Sequence, residues 1–190
     1  AKRNLVRVLQ SPVMSTDDMP ALESLADRVP VLVVDATLWS FGGVLYERGQ
    51  VVAAFGDRFS EKAASMGLAE ISAALAMISY FSNRLNGRRF VLLTDNTQCE
   101  AGVRKGASSH MDMDRAAFAI HAILRDINAS VLVGHVDTED NVADAVSRSK
   151  ELDVRAIEAS KAAALDAVAL LGKTRVGESV NQVVRGAALG

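Results

Sequence analysis

The stretch VLVVDATLWSFGGVLYERGQVVAAF, residues 31–55, decides the fold. It divides into VLVVDAT, GGVLYE and VVAAF, each rich in Val or aromatic residues and bounded by Gly-containing turns such as ERGQ at 47–50. That is the pattern of three successive β-strands. Connections this short join antiparallel neighbours. The first strand delivers an acidic residue, Asp35, straight after an apolar run.

Downstream, Leu68, Ile71, Leu75, Ile78, Phe81 and Leu85 recur at steps of three and four, predicting one helix with an apolar face that Asn86 and Gly87 end. Glu70 stands beside that stripe, next to Ala74 and Met77. FVLLT, residues 90–94, is a short apolar run read as a strand buried on both faces, parallel to the first, and it leads into Asp95. Asn96 is placed to cap a helix running toward Lys105 and Gly106. Ala116, Ile120, Ile123 and Ile127 mark another helix, and Val131 to Val136 a fifth strand. The polar turn DTEDN then leads into a helix near Val142 that carries Asp144, and an Ala-rich helix is expected over about Glu151 to Leu171, with Ile157, Ala164, Val168 and Leu171 on one side. The sum is an α/β protein with a five-stranded mixed sheet, its first three strands antiparallel, flanked by helices. If the first and fourth strands are adjacent and parallel, Asp35 and Asp95 come side by side, because neighbouring strands lie about 4.8 Å apart.

Residues 1–30 hold all three prolines, Pro12, Pro20 and Pro30, and read as a linker or connector ahead of a core domain at 31–149; residues 150–190 read as a C-terminal helix and tail. The chain starts at Ala instead of Met, as a piece of a longer protein does. Of 190 residues, 49% are hydrophobic and 23% charged, ordinary for a soluble globular protein. A formal charge of −2 and a pI near 5.9 provide no global positive field, so contact with a polyanion must use local patches. Cys99 is the single cysteine, which excludes an internal disulfide framework and a Cys-based zinc cluster and suits a reducing compartment. The N-terminus lacks a signal-like apolar run, and no stretch approaches the roughly 18 apolar residues of a membrane helix. The expectation is a soluble intracellular protein, cytoplasmic or nuclear, neither secreted nor membrane-bound.

Asp35, Glu70, Asp95 and Asp144 are the candidate catalytic and metal-ligating residues. Hydrolysis of a phosphodiester must stabilise an attacking hydroxide and a leaving alkoxide on opposite sides of one phosphorus, which two divalent ions roughly 3.5 to 4 Å apart achieve. Mg²⁺ prefers carboxylate and phosphate oxygens, so Asp and Glu without Cys or His are the expected ligands. Each residue alone has a plainer reading: Asp35 and Asp95 as turn formers, Glu70 as a solvated helix charge, Asp144 as a helix-dipole partner. Their joint occurrence in these settings favours the metal site.

With these motifs in view, residues 31–149 resemble the ribonuclease H domains of reverse-transcribing elements, with a flavour of hepadnaviruses and of DIRS- and VIPER-type retrotransposons. The likeness rests on VVDATLWSFGGVL, GLAEISAALA, LLTDNT and the closing NVADAVSR, four motifs in family order. It implies a ribonuclease-H-like fold and an endonuclease that cuts the RNA strand of RNA·DNA hybrids with two Mg²⁺ ions, replaceable by Mn²⁺, held by Asp35, Glu70, Asp95 and Asp144. It also implies a reverse transcriptase polymerase domain in the same polypeptide, joined through residues 1–30. Thr37, Asn96 and Arg148 are candidate substrate contacts around the carboxylates, and Arg104 and Lys105 candidate phosphate contacts. Cellular members of the family often carry a loop His a little before the last Asp. HVDTEDNVAD aligns with the element type that lacks it, so His135 reads as a strand-end residue, and His110 and His121 have weaker claims still. Two other readings compete: a catalytically silent ribonuclease-H-like module in a larger assembly, and another two-metal nuclease or strand transferase.

Overall fold

The computed structural model describes residues 29–150 together with Arg155, Ala159, Ser160, Ala162 and Ala163. Residues 1–28 of the connector expected at 1–30 and most of the expected C-terminal helix and tail lie outside the described residues; the five described positions beyond 150 are helical.

Five strands form one sheet in the order β3-β2-β1-β4-β5, with β1 Val31–Ala36, β2 Ser40–Glu47, β3 Gln50–Arg58, β4 Arg89–Thr94 and β5 Ser130–His135. β1, β2 and β3 are antiparallel, and β4 and β5 join parallel to β1, as the short and long connections require. The β2–β3 hairpin turns on Arg48 and Gly49, at φ 51° and 70°. Two left-handed residues match the strand twist of a two-residue hairpin, and Gly adopts that conformation without steric cost.

The helices are α1 Met66–Tyr80, α2 Ser82–Leu85, α3 Thr97–Lys105, α4 Met111–Asp126 and α5 Ala143–Ser147, with a 3-10 turn at Thr138–Asp140. On one sheet face, Leu32, Val34, Leu45 and Leu92 pack against Ile71 and Met77 of α1, Val103 of α3 and Ile120 and Leu124 of α4. On the other, Val33, Val44, Tyr46, Val91 and Leu93 pack against Val142 and Ala143 at the start of α5.

Two consecutive glycines in β2 permit both approaches. A Cβ on Gly42 would stand 2.5 Å from the Ser147 backbone nitrogen in α5, and one on Gly43 would stand 2.6 Å from Met77 Sδ in α1. Since successive side chains of a strand point to opposite faces, each glycine clears one layer.

The helix expected through Leu85 is broken. α1 stops at Tyr80, Phe81 departs from helical geometry at φ −89° and ψ 9°, and α2 follows. The bend keeps both Phe81 and Leu85 in the core. The buried face of α1 is also rotated from the stripe of large residues: Ala69, Ala73 and Ala74 are fully covered while Leu75 is only partly so. Small side chains let α1 lie close on the sheet, and Glu70 goes down with them.

Candidate metal centre

Hydrogen-bond register brings the first two carboxylates together. β1 and β4 pair as Val31↔Val91, Leu32↔Leu92 and Val33↔Leu93, and the same offset sets Asp35 opposite Asp95. The ladder ends at Val33↔Leu93, while β4 stays paired to β5 through Thr94↔His135. The cluster thus lies at the carboxyl end of β1 and β4, the end at which open α/β sheets hold their ligands.

Glu70 enters from α1. Asp35, Glu70 and Asp95 each offer a carboxylate oxygen within 4.8 Å of the others, with Asp35 and Glu70 buried and Asp95 half-buried. Burial pushes Glu70 up to about 8 from its ordinary 4.5, and the charges of Asp35 and Asp95 add to this against a backbone hydrogen bond at Ala36. Asp35 is raised to about 6, again chiefly by burial; the Ser147 hydroxyl and Arg148 oppose the rise, and Asp95 and Asp144 assist it. Glu70 Oε2 is buried with no hydrogen-bond partner. Three hard oxygen donors that repel one another, one with an orphaned buried oxygen, match a divalent cation such as Mg²⁺.

Asp144 stands just outside this triad, close enough to act on Asp35. Its Oδ1 accepts from Arg148 Nε at 2.5 Å. Around the site, other predicted residues have local roles. Thr37 Oγ1 accepts the N–H groups of Trp39 and Ser40, shaping the β1–β2 turn. Asn96 caps α3, its Oδ1 accepting from Gln98 and Cys99, both at 3.0 Å. Arg104 bonds to Glu100 and to the Val133 carbonyl. With Lys105 it ends α3, about 13 Å along the axis from Asn96 at 1.5 Å per residue, so the structure does not bring these two to the triad.

Two residues that sequence reasoning passed over support the site. Asn141, almost fully buried, donates through Nδ2 to the Val34 carbonyl at 3.1 Å and accepts from Ala143 N–H at 3.0 Å. It thereby satisfies a β1 carbonyl beyond the last β1–β4 pair. Ser147, equally buried, donates to Asp35 Oδ2. Both lie inside the NVADAVSR motif, which was the signal available. Of the histidines, His135 ends β5 with Nδ1 3.7 Å from Glu100, His121 is a core residue whose Nε2 lies 2.7 Å from the Val103 carbonyl, and His110 precedes α4.

The architecture is that of the ribonuclease-H-like fold. A ribonuclease H1 from Halobacterium salinarum superposes with a TM-score of 0.53 at 20% identity, over 63% of this chain and 93% of its own. LC11 ribonuclease H1, solved in complex with an RNA/DNA hybrid, gives 0.51 at 16% identity, over 64% and 95% of the two chains. A foamy viral protease–reverse transcriptase, also with an RNA/DNA hybrid, gives 0.53 at 14% identity, over 72% of this chain and 22% of the viral one. No family profile matches the sequence, and no curated protein matches it. Among the described residues, no helix is long and apolar enough to cross a membrane.

Proposed function

We propose that this chain is a metal-dependent endoribonuclease that cuts the RNA strand of RNA·DNA hybrids, acting as the ribonuclease H part of a reverse transcriptase. The observation that carries the reading is the Asp35–Glu70–Asp95 cluster with its orphaned Glu70 oxygen, at the carboxyl end of β1 and β4 in a ribonuclease-H-like sheet. A scaffold has no use for three carboxylates held in mutual repulsion.

Asp35, Glu70 and Asp95 hold the metal, and Asp144 completes the ligand set for a second ion. Divalent ions held there would supply the activation of water and the charge stabilisation at the leaving 3′-oxygen that phosphodiester hydrolysis needs. The chain's own part is to fix the carboxylates: register places Asp35 against Asp95, the Ser147 hydroxyl holds one Asp35 oxygen, and Arg148 holds one Asp144 oxygen. Arg148, Asn96 and Thr37 border the site as substrate contacts, and Arg104 and Lys105 take a more distant phosphate. Recognition of the hybrid rests on groove shape and 2′-hydroxyls instead of base sequence. A polymerase domain joined through residues 1–30 adds to substrate grip, consistent with the acidic pI.

The test is cleavage of a labelled RNA·DNA hybrid in Mg²⁺ and Mn²⁺, with Asp95→Asn and duplex DNA as controls. RNA cut only within the hybrid, and lost in the variant, supports the reading. A folded wild-type chain that cuts nothing in either metal at low salt sinks it.

A further inference from the structure

The turn between β1 and β2 offers the chain's single tryptophan to solvent. Trp39 is 59% exposed, although it is the largest apolar side chain present and follows closely on Asp35. The turn beneath it is tightly held. Trp39 N–H donates to Thr37 Oγ1 at 3.1 Å, the Trp39 carbonyl accepts from Phe59 N–H at 2.9 Å, and the Leu38 carbonyl accepts from Ala63 N–H at 2.8 Å. The next residue, Ser40, donates through Oγ to the Ser147 carbonyl at 2.7 Å, and Ser147 in turn holds Asp35. The backbone that carries the indole is therefore tied to the 59–63 segment on one side and, through Ser40 and Ser147, to Asp35 on the other.

A cation accompanies it. Lys62 Nζ stands 5.7 Å from the indole centroid, within cation–π range, and exposed Arg58 is the register partner of Ser40. An exposed aromatic ring on a hydrogen-bonded turn, with an ammonium over it, is complementary to a ligand that combines an apolar face with negative charge. A nucleotide does so: its sugar and base lie against an aromatic ring while its phosphate meets the cation.

We propose that Trp39 and Lys62 form a nucleotide platform beside the metal centre. Trp39 packs on the sugar and base edge of the bound nucleic acid, Lys62 pairs with the adjoining phosphate, and together they set which phosphate lies over Asp35 and Asp95. Trp39 is thus a positioning residue, and the inference rests on the hybrid-nuclease reading above.

Because Trp39 is the only tryptophan, its emission reports on this spot alone. Titrating the full chain carrying Asp95→Asn with RNA·DNA hybrid in Mg²⁺ is expected to quench that emission saturably. Adding Lys62→Ala is expected to weaken the midpoint several-fold and to lower the salt slope of binding by about one. In cleavage assays Trp39→Ala should raise KM about 10-fold with kcat changed less than ~3-fold, and Trp39→Phe should recover most of the KM. Hybrid binding by anisotropy with unmoved Trp39 emission, together with an unaltered KM in Trp39→Ala, overturns the platform and leaves the nuclease standing. Emission that follows protein concentration instead of hybrid marks the indole as a protein contact and also overturns it. A wild-type chain that neither binds nor cuts hybrid removes both readings.

Discussion

The Ser147 hydroxyl donates a hydrogen bond to Asp35 Oδ2, joining residues 112 positions apart in the chain. One Asp35 oxygen is thereby held by α5. Ser147 is itself anchored, since its carbonyl accepts from Ser40 Oγ and its hydroxyl lies 3.1 Å from the Asp144 carbonyl. The hydroxyl also works against the burial that raises Asp35, favouring the charged form, the one a divalent cation would need.

Ser147→Ala should therefore weaken Mg²⁺ binding about 10–100-fold, the range found when a hydrogen bond behind a metal ligand is removed. It should also cost about 1–3 kcal/mol in metal-free stability for the unsatisfied buried acceptor. Calorimetric Mg²⁺ titration and urea unfolding measure the two separately. Unchanged Mg²⁺ affinity would contradict this role.

Metal-free stability should depend on pH in a definite direction. Glu70 rises from 4.5 to about 8 on folding and Asp35 from 3.8 to about 6, so between those limits the folded chain keeps protons that the unfolded chain has released. Their contribution is full below about pH 4 and is lost as pH climbs through about 8. Tm in chelator should fall from pH 5 to pH 8, the fall should be shallower in Glu70→Gln, and Mg²⁺ should raise Tm more at pH 8 than at pH 5. A flat wild-type profile in chelator would count against the buried, mutually repelling triad.

Asn141→Ala leaves the Val34 carbonyl and the Ala143 N–H without their partner in a buried place. A loss of about 2 kcal/mol is expected in urea unfolding, with Asn141→Asp also losing the donor to Val34. If Asn141→Ala unfolds at the wild-type urea midpoint, the polar plug at the strand gap has no structural weight.

The two β2 glycines should differ on substitution. Gly42→Ala drives a Cβ into α5 backbone, 2.5 Å from Ser147 N and 2.9 Å from Val146 C, whereas Gly43→Ala meets the flexible Met77 side chain. Gly42→Ala should cost about 1–3 kcal/mol and most of the cleavage activity by displacing Ser147, while Gly43→Ala should retain activity with a smaller loss of stability. Equal activity in the two variants would refute the distinction.

Asp144 lies beyond the triad and is tied to Arg148. Asp144→Asn should shift the Mg²⁺ dependence of cleavage upward about 10-fold, whereas Asp95→Asn should abolish cleavage at every Mg²⁺ concentration. A Mg²⁺ series on both variants checks this, and an unshifted Asp144→Asn curve would remove Asp144 from the ligand set.

What the sequence revealed followed from local rules. The hairpin was legible in Arg48-Gly49, and the meeting of Asp35 and Asp95 in two apolar runs that each end on an acid. Asn96 behaved as the cap its type and place implied. Glu70 was harder, because large residues mark a stripe plainly while Ala69, Ala73 and Ala74, which settle the buried face of α1, carry little hydrophobic signal. The helix break at Phe81 was hidden for a related reason: Phe81 and Leu85 keep helical spacing although a bend separates them. Asn141 and Ser147 were illegible as supports because their partners lie 107 and 112 residues away.

That long span bears on how the protein is made. At ribosomal rates of about 5–20 residues per second, roughly 6–22 s separate the emergence of Asp35 from that of Ser147. Through that interval the Val34 carbonyl and the Asp35 carboxylate wait for partners not yet synthesised. The residues that complete the centre thus emerge after all five strands, and a nascent chain that already holds every strand segment still lacks the side chains that finish the site.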